Sequence, residues 1–269
     1  MSENLSQDQI ERICKQQLFH LPYFRGMLRA VEQSFYEQVE LVEPIYDLGA
    51  GDGHFAWVLF QEEQVMGVDP WWQPLTEARE RKVYPLLVQS EGAHAPLEAG
   101  SFGSAMSNSV LEHVQEIQPV LNETARILKP GAKFYFAVPN QRFRSDLWGM
   151  KVLRNFCLNK LAQKYSSFFN KIARHINLDP PEIWIARLKE AGFDQIEYFH
   201  YFPVKAMWML ERGHAAGLPN LLWKKLFNKW VLFPNKKNPF LRFDSIKKLV
   251  ADPYDDQGTC TFYIARRQL

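Results

Sequence analysis

The feature that most constrains this chain is a short apolar strand running straight into three alternating glycines. Pro44-Ile45-Tyr46-Asp47-Leu48 reads as the strand, Gly49-Ala50-Gly51-Asp52-Gly53 as the turn, and His54 to Gln61 as the helix that follows. Glycine lets a backbone take φ > 0 and approach a ligand closely. In an open α/β sheet, ligands sit outside the carboxyl ends of the strands, at the switch point of the topology. This loop therefore predicts a ligand-binding sheet of parallel strands.

The rest of the chain agrees with that frame. Gln64–Asp69, Pro85–Gln89, Ser104–Asn108 and Lys133–Val138 read as further strands, with Gln195–Phe199 and Thr259–Ala265 as the last two. Between them the period changes to that of a helix, at Glu77–Lys82, Ile117–Leu128 and Pro181–Ala191, the last closed by Gly192. Strands alternating with helices predict a mostly parallel sheet covered on both faces. Residues 6–40 read as helical ahead of the first strand, with Leu18, Leu21, Met27, Leu28, Val31 and Phe35 at roughly helical spacing.

Two cofactor classes use a strand, glycine loop and helix. A dinucleotide site wants G-x-G-x-x-G, but His54 holds the place of the third glycine. Asp47, two residues before the first glycine, suits a cationic ligand group better than a pyrophosphate, because like charges repel at close range. Asp69 ends the second strand 18 residues past Gly51, the distance expected of a carboxylate that accepts hydrogen bonds from ribose hydroxyls.

Several motifs in order now resemble one family. Tyr46-Asp47-Leu48-Gly49-Ala50-Gly51-Asp52-Gly53 resembles the first motif of class I S-adenosylmethionine-dependent methyltransferases, and Gly67-Val68-Asp69 their second. Pro96–Phe102 followed by Ser107-Asn108-Ser109-Val110-Leu111-Glu112-His113-Val114 is similar to the stretch around their fourth strand. Leu121 to Gly131 resembles the helix and turn before their fifth. The small-molecule "type 11" branch, with its quinone and sugar or lipid methyltransferases, matches best.

The resemblance implies a Rossmann-like α/β fold with seven mostly parallel strands, helices on both faces and a helical cap built from insertions. It implies one methyltransferase domain over 1–269, with an N-terminal helical segment at 1–40 and cap insertions at 141–178 and 201–257. S-adenosyl-L-methionine is the implied cofactor. Asp47, Gly49, Gly51 and Gly53 would hold its methionine end, and Asn108 would offer backbone nearby. Asp69 would take the ribose hydroxyls, with Pro70 and Trp71 flanking the adenine, and Glu91 and Gly92 would face the adenine amine. Arg25, on the N-terminal helix, would pair with the cofactor carboxylate; it reads equally as a surface arginine beside two core aromatics. Glu91 stands where Asp is commoner, and Gly103 where the family usually carries Asp.

Transfer to a hydroxyl needs a base near its proton. His113 and His175 are the candidates. His113 reads equally as a partner for a backbone carbonyl, and His175 as an exposed loop histidine. One Glu112-His113 pair is poor metal evidence, and Cys14, Cys157 and Cys260 have no zinc spacing, so no metal is expected. The expected reaction is O-methylation of a glycan, a lipid-linked sugar or a quinone-like lipid, because Lys- and aromatic-rich caps suit an anionic, partly apolar acceptor; carbon and nitrogen acceptors stay open alternatives. A non-catalytic cofactor-binding regulator is the alternative, and a nicotinamide dehydrogenase a third reading that His54 and Asp47 oppose.

Charge divides the chain. Residues 1–140 carry 10 Lys and Arg against 19 Asp and Glu, whereas residues 141–250 carry 20 against 8. Lysines interleaved with aromatics in both insertions suit an anionic, partly apolar acceptor or a peripheral contact with an anionic membrane. The same insertions also read as a helical cap with a wet basic face. Nucleic acid ranks low because no RNA-binding module is visible. No run of 18 apolar residues exists, and the start, Met1-Ser2-Glu3-Asn4-Leu5, lacks the basic and apolar regions of a signal peptide. Three scattered cysteines fit a reducing compartment. The expected location is cytoplasmic, or peripheral at the inner face of a membrane.

Overall fold

The computed structural model describes residues 5–61, 63–227, 229–238 and 242–269. The chain divides into two compact units. One holds residues 40–142, 170–199 and 260–269, and the other holds 1–39, 143–169 and 200–259. The segments beyond the sheet, at the N-terminus and in the two insertions, supply most of the second unit.

The first unit carries the sheet. Its strands are β1 (Ile45–Leu48), β2 (Val65–Asp69), β3 (Leu86–Gln89), β4 (Phe102–Asn108), β5 (Leu128–Pro139), β6 (Phe193–Tyr201) and β7 (Cys260–Arg267), in the order β3-β2-β1-β4-β5-β7-β6. The pairs β2–β3, β1–β2, β1–β4 and β4–β5 are parallel, and β5–β7 is antiparallel. The seven-stranded, mostly parallel sheet expected from the sequence is thus present. Every residue of β1 and β4 is buried, as expected of parallel strands covered on both faces.

Helices α3 (His54–Leu59), α4 (Trp72–Arg81), α5 (Ile117–Ile127) and α9 (Pro181–Glu190) belong to the same unit. On α5 the buried residues Ile117, Val120, Leu121, Thr124 and Ala125 recur at helical spacing. The core beneath is aromatic: Phe136 stacks on Tyr263 with ring centroids 4.7 Å apart, and Trp184 lies 5.3 Å from Phe136. Helix α4 starts at Trp72, five residues before the expected Glu77. Pro74 sits in its first turn, where a missing N–H costs the helix nothing.

The second unit is helical. It contains α1 (Gln7–Leu18), α2 (Tyr23–Tyr36), α7 (Trp148–Asn155), most of α8 (Asn159–Ala173), α10 (Val204–Ala216), α11 (Leu218–Phe227) and α12 (Phe243–Ala251); the short α6 (Gln141–Ser145) leads into it. The stretch read as one N-terminal helix is two. Ser6 caps α1 in a capping box with Gln9, and the chain breaks before Pro22, which precedes α2. Buried polar groups join the helices: the Gln17 amide donates to Gln33 at 2.8 Å, and the Tyr201 hydroxyl donates to Glu32 at 3.0 Å. Among the described residues, no helix is long and apolar enough to cross a membrane.

Candidate functional site

Because β1, β2 and β4 are parallel neighbours, their carboxyl ends open on one edge of the sheet. The glycine loop leaves β1 there. The amides of Gly49 and Ala50 both donate to the Val68 carbonyl, at 2.8 and 3.0 Å, which folds the loop across the end of β2. Gly53 has φ +70°, and a Cβ there would stand 2.9 Å from the Ala78 Cα of α4. Gly51 has φ +54°, yet an added Cβ would meet only the Gly49 carbonyl oxygen, at 3.9 Å. Gly53 is therefore a packing glycine, whereas Gly51 borders open space.

The two carboxylates of the edge are held differently. Asp69 accepts the Gly51 amide at 3.0 Å through one oxygen and the Trp71 amide at 2.9 Å through the other. Burial raises its pKa above the ordinary 3.8, against the opposing pull of those two N–H groups. Asp47 accepts the Tyr84 hydroxyl at 2.5 Å. Burial, followed by the Asp47 charge, pushes the Tyr84 phenol well above its usual range, so it stays a donor at any working pH. Tyr84 was not singled out from the sequence; it lies 37 residues from Asp47, and no local spacing marks it.

Of the remaining expected positions, Pro70, Trp71, Glu91, Gly92 and Asn108 lie in the unit that carries the sheet. The Ser90 amide donates to the Asp69 carbonyl, which brings Glu91 beside the end of β2, and the Glu91 carbonyl accepts the His94 amide. A Cβ on Gly92 would strike Leu48 at 2.7 Å. The Pro70 carbonyl accepts the Gln89 side chain, and Trp71 is largely exposed. Asn108 is buried at the end of β4. Arg25 is exposed on α2, in the helical unit, and its expected role stays a proposal.

Beyond β4 the chain makes a short 3-10 turn, Leu111–His113. Glu112 is buried, and its carbonyl accepts the amides of Ile176 and Asn177. The Asn177 side chain donates back to the Leu111 and Val114 carbonyls at 3.0 and 2.6 Å. These bonds bring His175 to His113, with ring centroids 5.3 Å apart. His113 Nδ1 lies 3.0 Å from the Arg174 carbonyl oxygen, and its Nε2 lies 3.7 Å from a Glu112 carboxylate oxygen. The carbonyl reading of His113 thus describes one ring nitrogen, and the other faces a carboxylate. Ligating atoms of Glu112, His113 and His175 all lie within 4.8 Å of one another, a grouping that can hold a cation. The sequence did not suggest this trio, because His175 stands 62 positions from His113.

Comparison with known proteins agrees with this geometry. Residues 46–136 match the family model described as a methyltransferase domain. The chain is 27% identical over 179 residues to the ubiquinone biosynthesis O-methyltransferase of Escherichia coli O139:H28, covering 63% of this chain and 70% of that one. Among solved structures, a possible histamine N-methyltransferase from Thermotoga maritima superposes with a TM-score of 0.56 at 15% identity, covering 89% of each chain. The phosphoethanolamine N-methyltransferase 2 of Haemonchus contortus, solved with S-adenosyl-L-methionine, gives 0.51 at 20% identity over 84% of this chain and 48% of that one.

Proposed function

We propose that this chain, a class I S-adenosylmethionine-dependent methyltransferase, methylates a hydroxyl of a small, partly apolar acceptor of the quinone-like lipid kind. The observation that carries the reading is the pairing of His113 and His175 beyond the end of β4, next to the strand ends that suit the cofactor. The name of the Escherichia coli relative, an O-methyltransferase of ubiquinone biosynthesis, supports the acceptor class.

The residues present fit the cofactor. Open space beside Gly51 admits a ligand, and Asp69 is already fixed by two loop amides with lone pairs to spare for ribose hydroxyls. Asp47, oriented by Tyr84, would meet the ammonium of the methionine end. Trp71 offers an exposed ring beside the adenine, and Glu91 a carboxylate for its amine. Bound there, S-adenosylmethionine supplies an electrophilic methyl group on a sulfonium.

The chain's own part is positioning and proton removal. A carbonyl oxygen only accepts, so His113 Nδ1 carries the ring proton when it bonds Arg174. Nε2 is then the basic nitrogen and takes the acceptor's hydroxyl proton. The Glu112 carboxylate, 3.7 Å away, stabilises the imidazolium that forms. His175 flanks the ring and would orient the hydroxyl.

The test is turnover to S-adenosylhomocysteine with a catechol-type phenol, a glycan and a simple amine. Turnover on the phenol is expected, with His113→Ala lowering kcat roughly a hundredfold while cofactor affinity holds. Turnover confined to the amine, or an unimpaired His113→Ala, contradicts the reading. A divalent cation held by Glu112, His113 and His175 is a second reading, favoured by their close donor atoms. A chelator distinguishes the two: imidazole base catalysis survives it, and cation-assisted catalysis does not.

A further inference from the structure

Helix α8 has two unlike sides. Ala162, Ser166 and Phe169 are buried on one. Leu161 and Phe168, seven residues apart and so on one face, are 49% and 61% exposed on the other. Lys160 and Lys164 run beside them, four residues apart and both exposed. The connection from α7 adds Phe156 at 72% and Leu158 at 47% exposure, with Arg154 exposed next to them. Lys151 is engaged over the Trp208 ring, 4.7 Å from its centroid. Between Leu147 and Leu178 the chain has six Lys and Arg and no Asp or Glu.

From this we infer that the α7–α8 segment is a docking surface for an anionic lipid bilayer, with Phe156, Leu158, Leu161 and Phe168 entering the headgroup boundary and Arg154, Lys160 and Lys164 meeting lipid phosphates. Charge complementarity selects the occupant. A second copy of the chain would bring the same cations face to face with no acid in the segment to offset them, and like charges oppose such a twofold contact. A purely polyanionic partner would leave the exposed phenylalanines in water. An amphipathic basic helix at a bilayer satisfies both chemistries at once. The inference rests on this surface alone and stands whichever acceptor the enzyme uses.

The experiment is co-sedimentation of the full chain with phosphatidylcholine vesicles, with and without about one third phosphatidylglycerol, at low and high salt. Binding to the anionic vesicles alone, released by salt, is expected. K160E/K164E should weaken it by more than tenfold, since each cation near the surface contributes about fivefold. Phe156→Ser with Phe168→Ser should weaken it at low salt as well. S-adenosylmethionine binding and the circular dichroism of each variant report that the fold survives. Failure of the folded wild type to bind at low salt overturns the inference. So does equal binding to neutral vesicles, insensitivity to both variants, or self-association abolished by those same substitutions.

Discussion

The carboxylate of Asp69 accepts the amide of Gly51 at 3.0 Å, tying the end of the second strand to the loop that follows the first. The loop and the carboxylate proposed to take the ribose are therefore tied together before any ligand arrives. That link has a pH signature. The folded Asp69 carboxyl titrates above its ordinary 3.8, chiefly through burial. Its contribution to the stability of the unliganded fold is thus largest below the unfolded range and declines as pH rises through the folded value. On the proposed site, cofactor binding would run the other way, because ribose hydroxyls would donate to the ionised form. Calorimetric affinity for S-adenosylmethionine should fall as pH drops through the folded value, and Asp69→Asn should bind weakly with that dependence flattened.

Two glycines of the loop should separate fold from ligand. Gly53→Ala forces a Cβ to within 2.9 Å of backbone on α4, at φ +70°. A loss of about 2 kcal/mol or more in denaturant unfolding is expected. Gly51→Ala places its Cβ in open space, at a φ that costs about 1 kcal/mol. It should leave the fold near wild type while cutting cofactor affinity more than tenfold, since the methyl occupies ligand space.

Tyr84→Phe removes the donor to Asp47 and nothing else of the loop. Asp47 is then less well oriented, and cofactor affinity should fall several-fold. Denaturant titration should show a loss of about 1–2 kcal/mol, the usual consequence of deleting one partner of a charged hydrogen bond.

In the helical unit, buried Glu211 accepts the amides of Trp148 and Gly149 at 2.5 and 2.9 Å and the Tyr165 hydroxyl at 2.5 Å. It satisfies the start of α7 and ties it to α8. Glu211→Ala leaves those donors buried and unpaired, so destabilisation of about 3 kcal/mol is expected in equilibrium unfolding.

Much of the sheet was legible because its signals are local. Strand β1 reads as an apolar run broken by glycine, and α5 as an apolar stripe ended by Pro130 and Gly131. Asp47, the glycines and Asp69 lie within a single β-α-β stretch, so their shared edge followed from the order of elements. Tyr84 could not be read this way, because its tie to Asp47 depends on how α4 returns to the sheet. The meeting of His113 and His175 depends on Asn177, whose side chain bridges two carbonyls of a distant turn. The turn of α4 ahead of Glu77 carries Pro74, which is tolerated there because first-turn N–H groups have no partner within the helix.

The most direct test titrates S-adenosylmethionine calorimetrically into wild type and Asp69→Ala, with NADH in parallel. The account predicts micromolar binding of S-adenosylmethionine to wild type (about −8 kcal/mol), none of NADH, and loss of more than tenfold in the variant. Unchanged affinity in a folded Asp69→Ala, or preferential binding of NADH, would contradict it.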